Sequence, residues 1–235
     1  MPTVLITGAS RGIGLAAATS FAKAGWDLLL VSRTEEGLKE LSVHLDEKGN
    51  TVHHQTIDLS DHVAIDPALE ALIERGSVPD VLINNAGAAW TGDLLSMPLQ
   101  EWQWLFQLNL TSVFQVCSTV VPMMRARGGL VINVSSHAAR NAFPQWGAYC
   151  TAKAALATFT RCLAEEERQH RIRACTLTLG AVNSPLWDTE TVRSTFDRHA
   201  MLSVEQAATA LLHLAKQPQS QVIEDLTLMP ATGAF

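Results

Sequence analysis

The chain has 235 residues, of which 47% are hydrophobic and 17% charged, with a formal net charge of −6. This is enough apolar material for a sizeable core in one or two domains. The acidic balance argues against nucleic acid or an anionic membrane as a partner. No basic apolar leader opens the sequence and no apolar run reads as long enough to span a bilayer, which predicts a soluble, cytoplasmic protein. The four cysteines (Cys117, Cys150, Cys162 and Cys175) lack metal-ligand spacing and lie among apolar residues, so they read as buried thiols in a reducing compartment. The pair His53-His54 sits in a strand-like stretch and shows no metal pattern.

Thr3 to Thr7 is a short, β-rich apolar segment that runs into Gly8-Ala9-Ser10-Arg11-Gly12-Ile13-Gly14 and then a helical pattern through Ala24, closed by Gly25. Strand, glycine loop and helix in that order form the setting in which backbone N–H groups at a helix N-terminus approach a pyrophosphate. A second strand, Asp27 to Ser32, ends in Ser32-Arg33-Thr34. A dinucleotide fold reads its cofactor at this strand end: a carboxylate would bond the ribose 2′-hydroxyl, whereas an arginine accommodates a 2′-phosphate. Arg33, with Arg11 in the glycine loop, favours NADP(H). Glu35 and Glu36 fit the first turn of the next helix, where the dipole favours acids.

Thr51 to Ile57 reads as a third strand ended by Asp58, either an acceptor for an adenine amino group or a turn residue. Ala64 to Arg75 is helical. Val81 to Ile83 is a buried strand leading into Asn84-Asn85-Ala86-Gly87, where small residues at a strand end suit close approach of a flat ligand. A long helix is predicted from Leu99 to about Arg125, with Trp102, Phe106, Val113, Val116 and Val120 on its apolar stripe. Asn109 falls on that stripe, and a buried amide must bond backbone or hold a water.

Val131 to Val134 is apolar and ends abruptly at Ser135 and Ser136. A loop with Phe143, Pro144 and Trp146 follows, then a helix to about Gln169. That helix carries Tyr149 and Lys153, which four-residue spacing puts on one face. Tyr149 is the chain's single tyrosine. A nearby ammonium, joined by the charge of an oxidised nicotinamide, would lower a phenol pKa from its usual value near ~10. Strand six spans Ile172 to Leu179. Val182-Asn183-Ser184-Pro185 then leads into an irregular segment with Leu186 and Trp187, a candidate flap. Ser203 and Gln206 form a capping box for a last helix, and Asp225 to Met229 is a seventh strand. This regular alternation predicts parallel strands with helices on both faces. Without repeats or a linker, it predicts a single domain over residues 1–235.

With these pieces in order, the sequence resembles the short-chain dehydrogenase/reductase family, in particular its short single-domain branch. The resemblance rests on Thr7-Gly8-x-x-x-Gly12-x-Gly14, Asn84-Asn85-Ala86-Gly87, Asn109, Ser136 and Tyr149-x-x-x-Lys153, all in family order and spacing. It implies an α/β fold of Rossmann type, a doubly wound parallel seven-stranded sheet. It also implies a catalytic tetrad. Tyr149 would be the general acid in carbonyl reduction. Lys153 would lower its pKa and bind the nicotinamide ribose. Ser136 would bond the substrate oxygen, and Asn109 would hold a water of the proton relay. Cofactor-binding residues would be Gly8, Ser10, Arg11, Gly12, Ile13, Gly14, Arg33, Asp58, Asn85, Ala86, Gly87, Tyr149, Lys153, Val182 and Ser184. The sequence departs from the family at Tyr149-Cys150-Thr151-Ala152-Lys153, where Ala-Ser commonly precedes the lysine. It departs again at Leu179-Gly180, where the family has Pro-Gly.

By fold position, Trp90, His137, Phe143, Trp146 and Trp187 are expected around the substrate, which suits an apolar or aromatic ketone or aldehyde. A β-ketoacyl thioester reductase is a neighbouring reading, with Arg125, Arg127, Arg168 and Arg171 as a basic rim for a phosphorylated carrier. A non-catalytic NADP(H)-binding sensor is a third, although a sensor has no need of Ser136 or Lys153. The helices at 99–125 and 147–169 resemble those of the family's dimer interface, which implies a homodimer or homotetramer.

Overall fold

Seven strands run parallel in one sheet, in the order β3-β2-β1-β4-β5-β6-β7. They are β1 (Thr3–Thr7), β2 (Asp27–Ser32), β3 (Val52–Thr56), β4 (Val81–Asn84), β5 (Gly129–Ser136), β6 (Ile172–Leu179) and β7 (Asp225–Leu228). The structure is a computed structural model and describes residues 1–46 and 49–233.

Side chains of a strand alternate between the two faces of a sheet, so each apolar strand feeds two cores. Val4 and Ile6 of β1, with Leu28 and Leu30 of β2, face one side. There they meet α1 (Gly12–Lys23), α2 (Glu35–Asp46) and α7 (Val204–Ala215) through Phe21, Leu38, Leu45 and Leu211. Leu5, Leu29 and Leu82 face the other side. They pack with α3 (Ile65–Arg75), α5 (Ser112–Met124) and α6 (Gly147–Glu166) through Leu69, Val113, Val120 and Leu156. The predicted capping box forms, with Ser203 accepting from Gln206 N while Gln206 bonds back to Ser203 N. From β1 the chain winds toward β3, and from β4 it winds toward β7. A crevice therefore opens at the C-terminal ends of β1 and β4, where the winding reverses.

Several boundaries differ from the sequence reading. The long helix is interrupted: α4 (Leu99–Phe106) passes into a π-helical turn, Gln107–Thr111, before α5. The extra residue rotates the stripe, so Leu105 and Asn109 point into the protein. Trp102 and Phe106 instead stack on each other with centroids 4.4 Å apart, half-buried. The serines at 135 and 136 belong to β5 rather than following it, because both pair with β6. Of the cysteines, Cys117 and Cys175 are buried, but Cys150 is intermediate and Cys162 exposed, since the outer face of α6 carries Cys162. The segment Leu99–Met124 also meets the length and apolarity of a membrane span, contrary to expectation (26 residues, mean hydropathy 1.2). Here its apolarity serves packing against α3 and the sheet.

Candidate active site

A cavity of about 790 Å³ lies along the C-terminal edge of the sheet, reaching from Arg33 at the end of β2 to Trp187 beyond β6. Its floor at one end is the turn between β1 and α1. Gly8 and Gly12 adopt positive φ, 69° and 56°, which closes the turn tightly. The N-terminus of α1 has no side-chain cap at Arg11, so its amides remain available to an anion. Arg11 and Arg33 both line this end and both are exposed. Thr34 Oγ1 donates to Ser10 Oγ at 3.3 Å, tying the two loops together. Asp58 lines the same end, with its Oδ1 accepting from Ser60 N at 2.9 Å and Ser60 Oγ at 2.7 Å. Burial opposes its ionisation, but those bonds and the Arg33 charge prevail, holding the carboxyl below its usual range.

Asn85, Ala86 and Gly87 line the middle of the cavity. Asn85 Nδ2 donates to the Thr7 carbonyl at 3.0 Å, pinning the end of β4 to the end of β1. Beyond them, β5 delivers Ser136, α6 delivers Tyr149 and Lys153, and the π-turn delivers Asn109, all to one place. Ser136 is close enough to Tyr149 to favour the ionised phenol, and its Oγ accepts from Ala138 N at 3.2 Å. Lys153 Nζ donates to the Val134 carbonyl at 3.0 Å. Asn109 Nδ2 donates to the Ala88 and Leu105 carbonyls, each at 2.9 Å, while its buried Oδ1 has no protein partner. That oxygen lies close to Gly87, whose Cα side also faces Lys153 Nζ. A buried acceptor left open beside an ammonium suits a bridging water.

A family model described as short chain dehydrogenase matches residues 2–194. The chain belongs to the short-chain dehydrogenase/reductase family. It is 30% identical over 243 residues to the serine 3-dehydrogenase of Rhizobium radiobacter, covering 99% of this chain and 95% of that one. It is also 30% identical over 184 residues to a 3-oxoacyl-(acyl-carrier-protein) reductase of Chlamydia muridarum, covering 77% and 74% of the two chains. Among solved structures, an alcohol dehydrogenase of the archaeon Thermococcus sibiricus, complexed with 5-hydroxy-NADP, superposes with a TM-score of 0.91. The two share 26% identity, over 98% of this chain and 97% of that one.

Two residues expected in the site of this short-chain dehydrogenase/reductase stand outside the cavity lining. Gly14 lies in the first turn of α1. A Cβ there would be 2.1 Å from the Gly8 carbonyl oxygen, so its bareness serves helix-to-strand packing rather than contact with a ligand. Trp90 turns its ring over Gly92, which leaves 2.4 Å between that ring and any Cβ at Gly92. The cavity lining also includes Trp104, Phe196, Met229 and Glu190, alongside His137, Phe143, Trp146 and Trp187. Trp104 was legible in principle, since it falls one position off the buried stripe of α4. Phe196 was not, because nothing local ties an irregular segment to a site.

The segment after β6 that the sequence offers as a flap is fastened to the loop after β4. Thr91 N donates to the Thr191 carbonyl at 2.8 Å, Thr191 Oγ1 to the Ala89 carbonyl at 2.7 Å, and Arg193 N to Thr91 Oγ1 at 2.7 Å. On the other side, Gly92 N donates to the carbonyl of Gln145, a residue with a positive φ of 68°. The loop after β4 thus fastens both the flap and the loop before α6.

Burial dominates the electrostatics of the pair on α6 when no cofactor is bound. Burial pushes the Tyr149 phenol up to about 12, and the neighbouring Ser136 hydroxyl opposes this without offsetting it. Burial also pulls the Lys153 ammonium down to about 8. Desolvation thus keeps the phenol protonated and weakens the ammonium until a cofactor brings its own charge.

Proposed function

We propose that this protein is a single-domain NADPH-dependent reductase that converts a ketone or aldehyde to an alcohol, reversibly. The reading rests on one arrangement: Ser136, Tyr149, Lys153 and Asn109 gathered at one end of a cavity whose other end carries Arg11 and Arg33. The residues fit the cofactor. The uncapped amides of α1 suit a pyrophosphate, and the two arginines suit a 2′-phosphate. Asn85, Ala86, Gly87, Val182 and Ser184 offer small surfaces for the nicotinamide half. NADPH, when bound, supplies the hydride that reduces the carbonyl carbon.

The chain's own residues handle orientation and the proton. Ser136 donates a hydrogen bond to the carbonyl oxygen and orients it. Tyr149, protonated at neutral pH, gives that oxygen its proton. Lys153 holds the nicotinamide ribose. Together with a water on Asn109 Oδ1, it returns a proton to the phenol. The aromatic lining at Phe143, Trp146 and Trp187 excludes water and favours an apolar substituent on the substrate.

The decisive experiment follows NADPH oxidation with a panel of ketones, in wild type and Tyr149→Phe. Turnover that disappears in the variant while NADPH still binds supports the reading. Cofactor binding with no turnover of any ketone would instead indicate a sensor. The relative from Chlamydia muridarum favours β-ketoacyl thioesters as a second reading. That reading needs a basic mouth, and the four arginines proposed for it are engaged elsewhere. Arg125 pairs with Glu167, Arg168 with Glu165, and Arg127 and Arg171 bond to backbone carbonyls. They flank the N-terminal ends of β5 and β6, opposite the cavity. We further propose that α5 and α6 form the interface of a homodimer or homotetramer, with Phe114 (55% exposed) at its centre.

A further inference from the structure

The substrate end of the cavity is aromatic along one wall and acidic at its mouth. Tyr149, Trp146, Trp187 and Phe196 form an edge-to-face series with successive centroid distances of 5.7, 5.6 and 5.8 Å. The Trp187 indole N–H is already used, donating to the Val182 carbonyl at 2.7 Å, so the wall offers a ligand ring surface.

The charges at this end are unevenly matched. Asp188 and Glu190 line it. Asp188 is paired with Arg198 at 3.0 Å, and the same guanidinium also donates to Asn183 Oδ1 at 2.7 Å and to the Ser184 carbonyl at 3.1 Å. Glu190 has no ion-pair partner among the described residues. The nearby cations do not offset it: Arg193 and Arg198 stand outside the lining, as does Arg140, which is held by Asp225 at 2.6 Å. Two basic side chains line this end among the described residues: Lys153, which is buried and donates to the Val134 carbonyl, and His137, which hydrogen-bonds with Asn141. Ring faces beside an unbalanced carboxylate attract an ammonium group and repel a carboxylate or phosphate.

We propose that the substrate is an amino ketone, with its carbonyl between Ser136 and Tyr149, its hydrocarbon arm along Trp146 and Trp187, and its protonated amine toward Glu190. This inference rests on the reductase reading above and narrows it to a substrate class.

The test uses three aryl ketones of equal length that end in an ammonium, a hydroxyl or a carboxylate group, with NADPH as reductant. In the wild type, kcat/KM should fall in that order, with about tenfold between ammonium and hydroxyl. Glu190→Gln should bring the ammonium-to-hydroxyl ratio close to one, and raising the salt concentration should compress it in the wild type. Trp187→Leu should raise KM for all three ketones more than it lowers kcat. A ratio near one in the wild type, or a preference for the carboxylate ketone, overturns the inference while leaving the reductase reading intact. Bound NADPH with no turnover of any of the three removes the reductase reading, and the inference with it.

Discussion

Lys153 Nζ lies 5.8 Å from the centroid of the Tyr149 ring while it donates to the Val134 carbonyl. The amine sits over the face of the ring, and Ser136 is the neighbour that favours the ionised hydroxyl. In the cofactor-free protein, burial therefore governs both groups.

Because Tyr149 is the sole tyrosine, phenolate absorbance reports it without interference. The cofactor-free protein should show no phenolate until the pH approaches the phenol's pKa of about 12. Saturation with NADP+ should move the titration to lower pH, since a cation beside a buried phenol favours its anion. Phenolate forming below pH 9 without cofactor would contradict this account.

Lys153→Met should stabilise the cofactor-free protein while abolishing turnover. The folded pKa is about 8 against an ordinary 10.5, so below pH 8 the lysine is charged in both folded and unfolded states and the fold carries the full burial cost. Between pH 8 and 10.5 the unfolded state binds more protons than the folded one. Wild-type stability then rises with pH and the variant's advantage shrinks. At pH 7 the gain should be on the order of 2 kcal/mol, read as a rise in Tm of several degrees. A lower Tm at pH 7 would mean that the bond to Val134 outweighs desolvation.

Arg33→Asp should reverse the cofactor preference, lowering kcat/KM for NADPH by about 10–100-fold while sparing NADH, because a carboxylate there repels a 2′-phosphate. An unchanged NADPH/NADH ratio would transfer that role to Arg11, which lines the same end.

Gly14→Ala should lower stability by about 2–4 kcal/mol and weaken cofactor binding through displacement of the glycine turn, since the new methyl would meet the Gly8 carbonyl and Asn85 Nδ2. Thermal unfolding and NADPH titration measure the two effects. Weaker binding at full stability would restore Gly14 to direct ligand contact.

Thr191→Val keeps the shape of the flap residue but removes its bond to the Ala89 carbonyl. The flap should open more readily, raising substrate KM about three- to tenfold with little change in NADPH affinity. Identical kinetics would show that the backbone bond from Thr91 to Thr191 suffices to hold it.

By itself, the sequence determined the sheet, its alternating helices and the identity of the reactive groups. These follow from local periodicity and from motifs whose spacing is short: Gly8 to Gly14 on one turn, Tyr149 and Lys153 on one helix face. Tertiary structure decided what depends on distant segments meeting. The rotation of Trp90 onto Gly92 and the arrival of Phe196 beside Trp187 have non-local causes. So do the two pKa values on α6. The residue types identify the proton donor and the ammonium beside it, but how far burial moves each pKa before a cofactor binds depends on how much protein surrounds the charge, and a linear sequence does not record that.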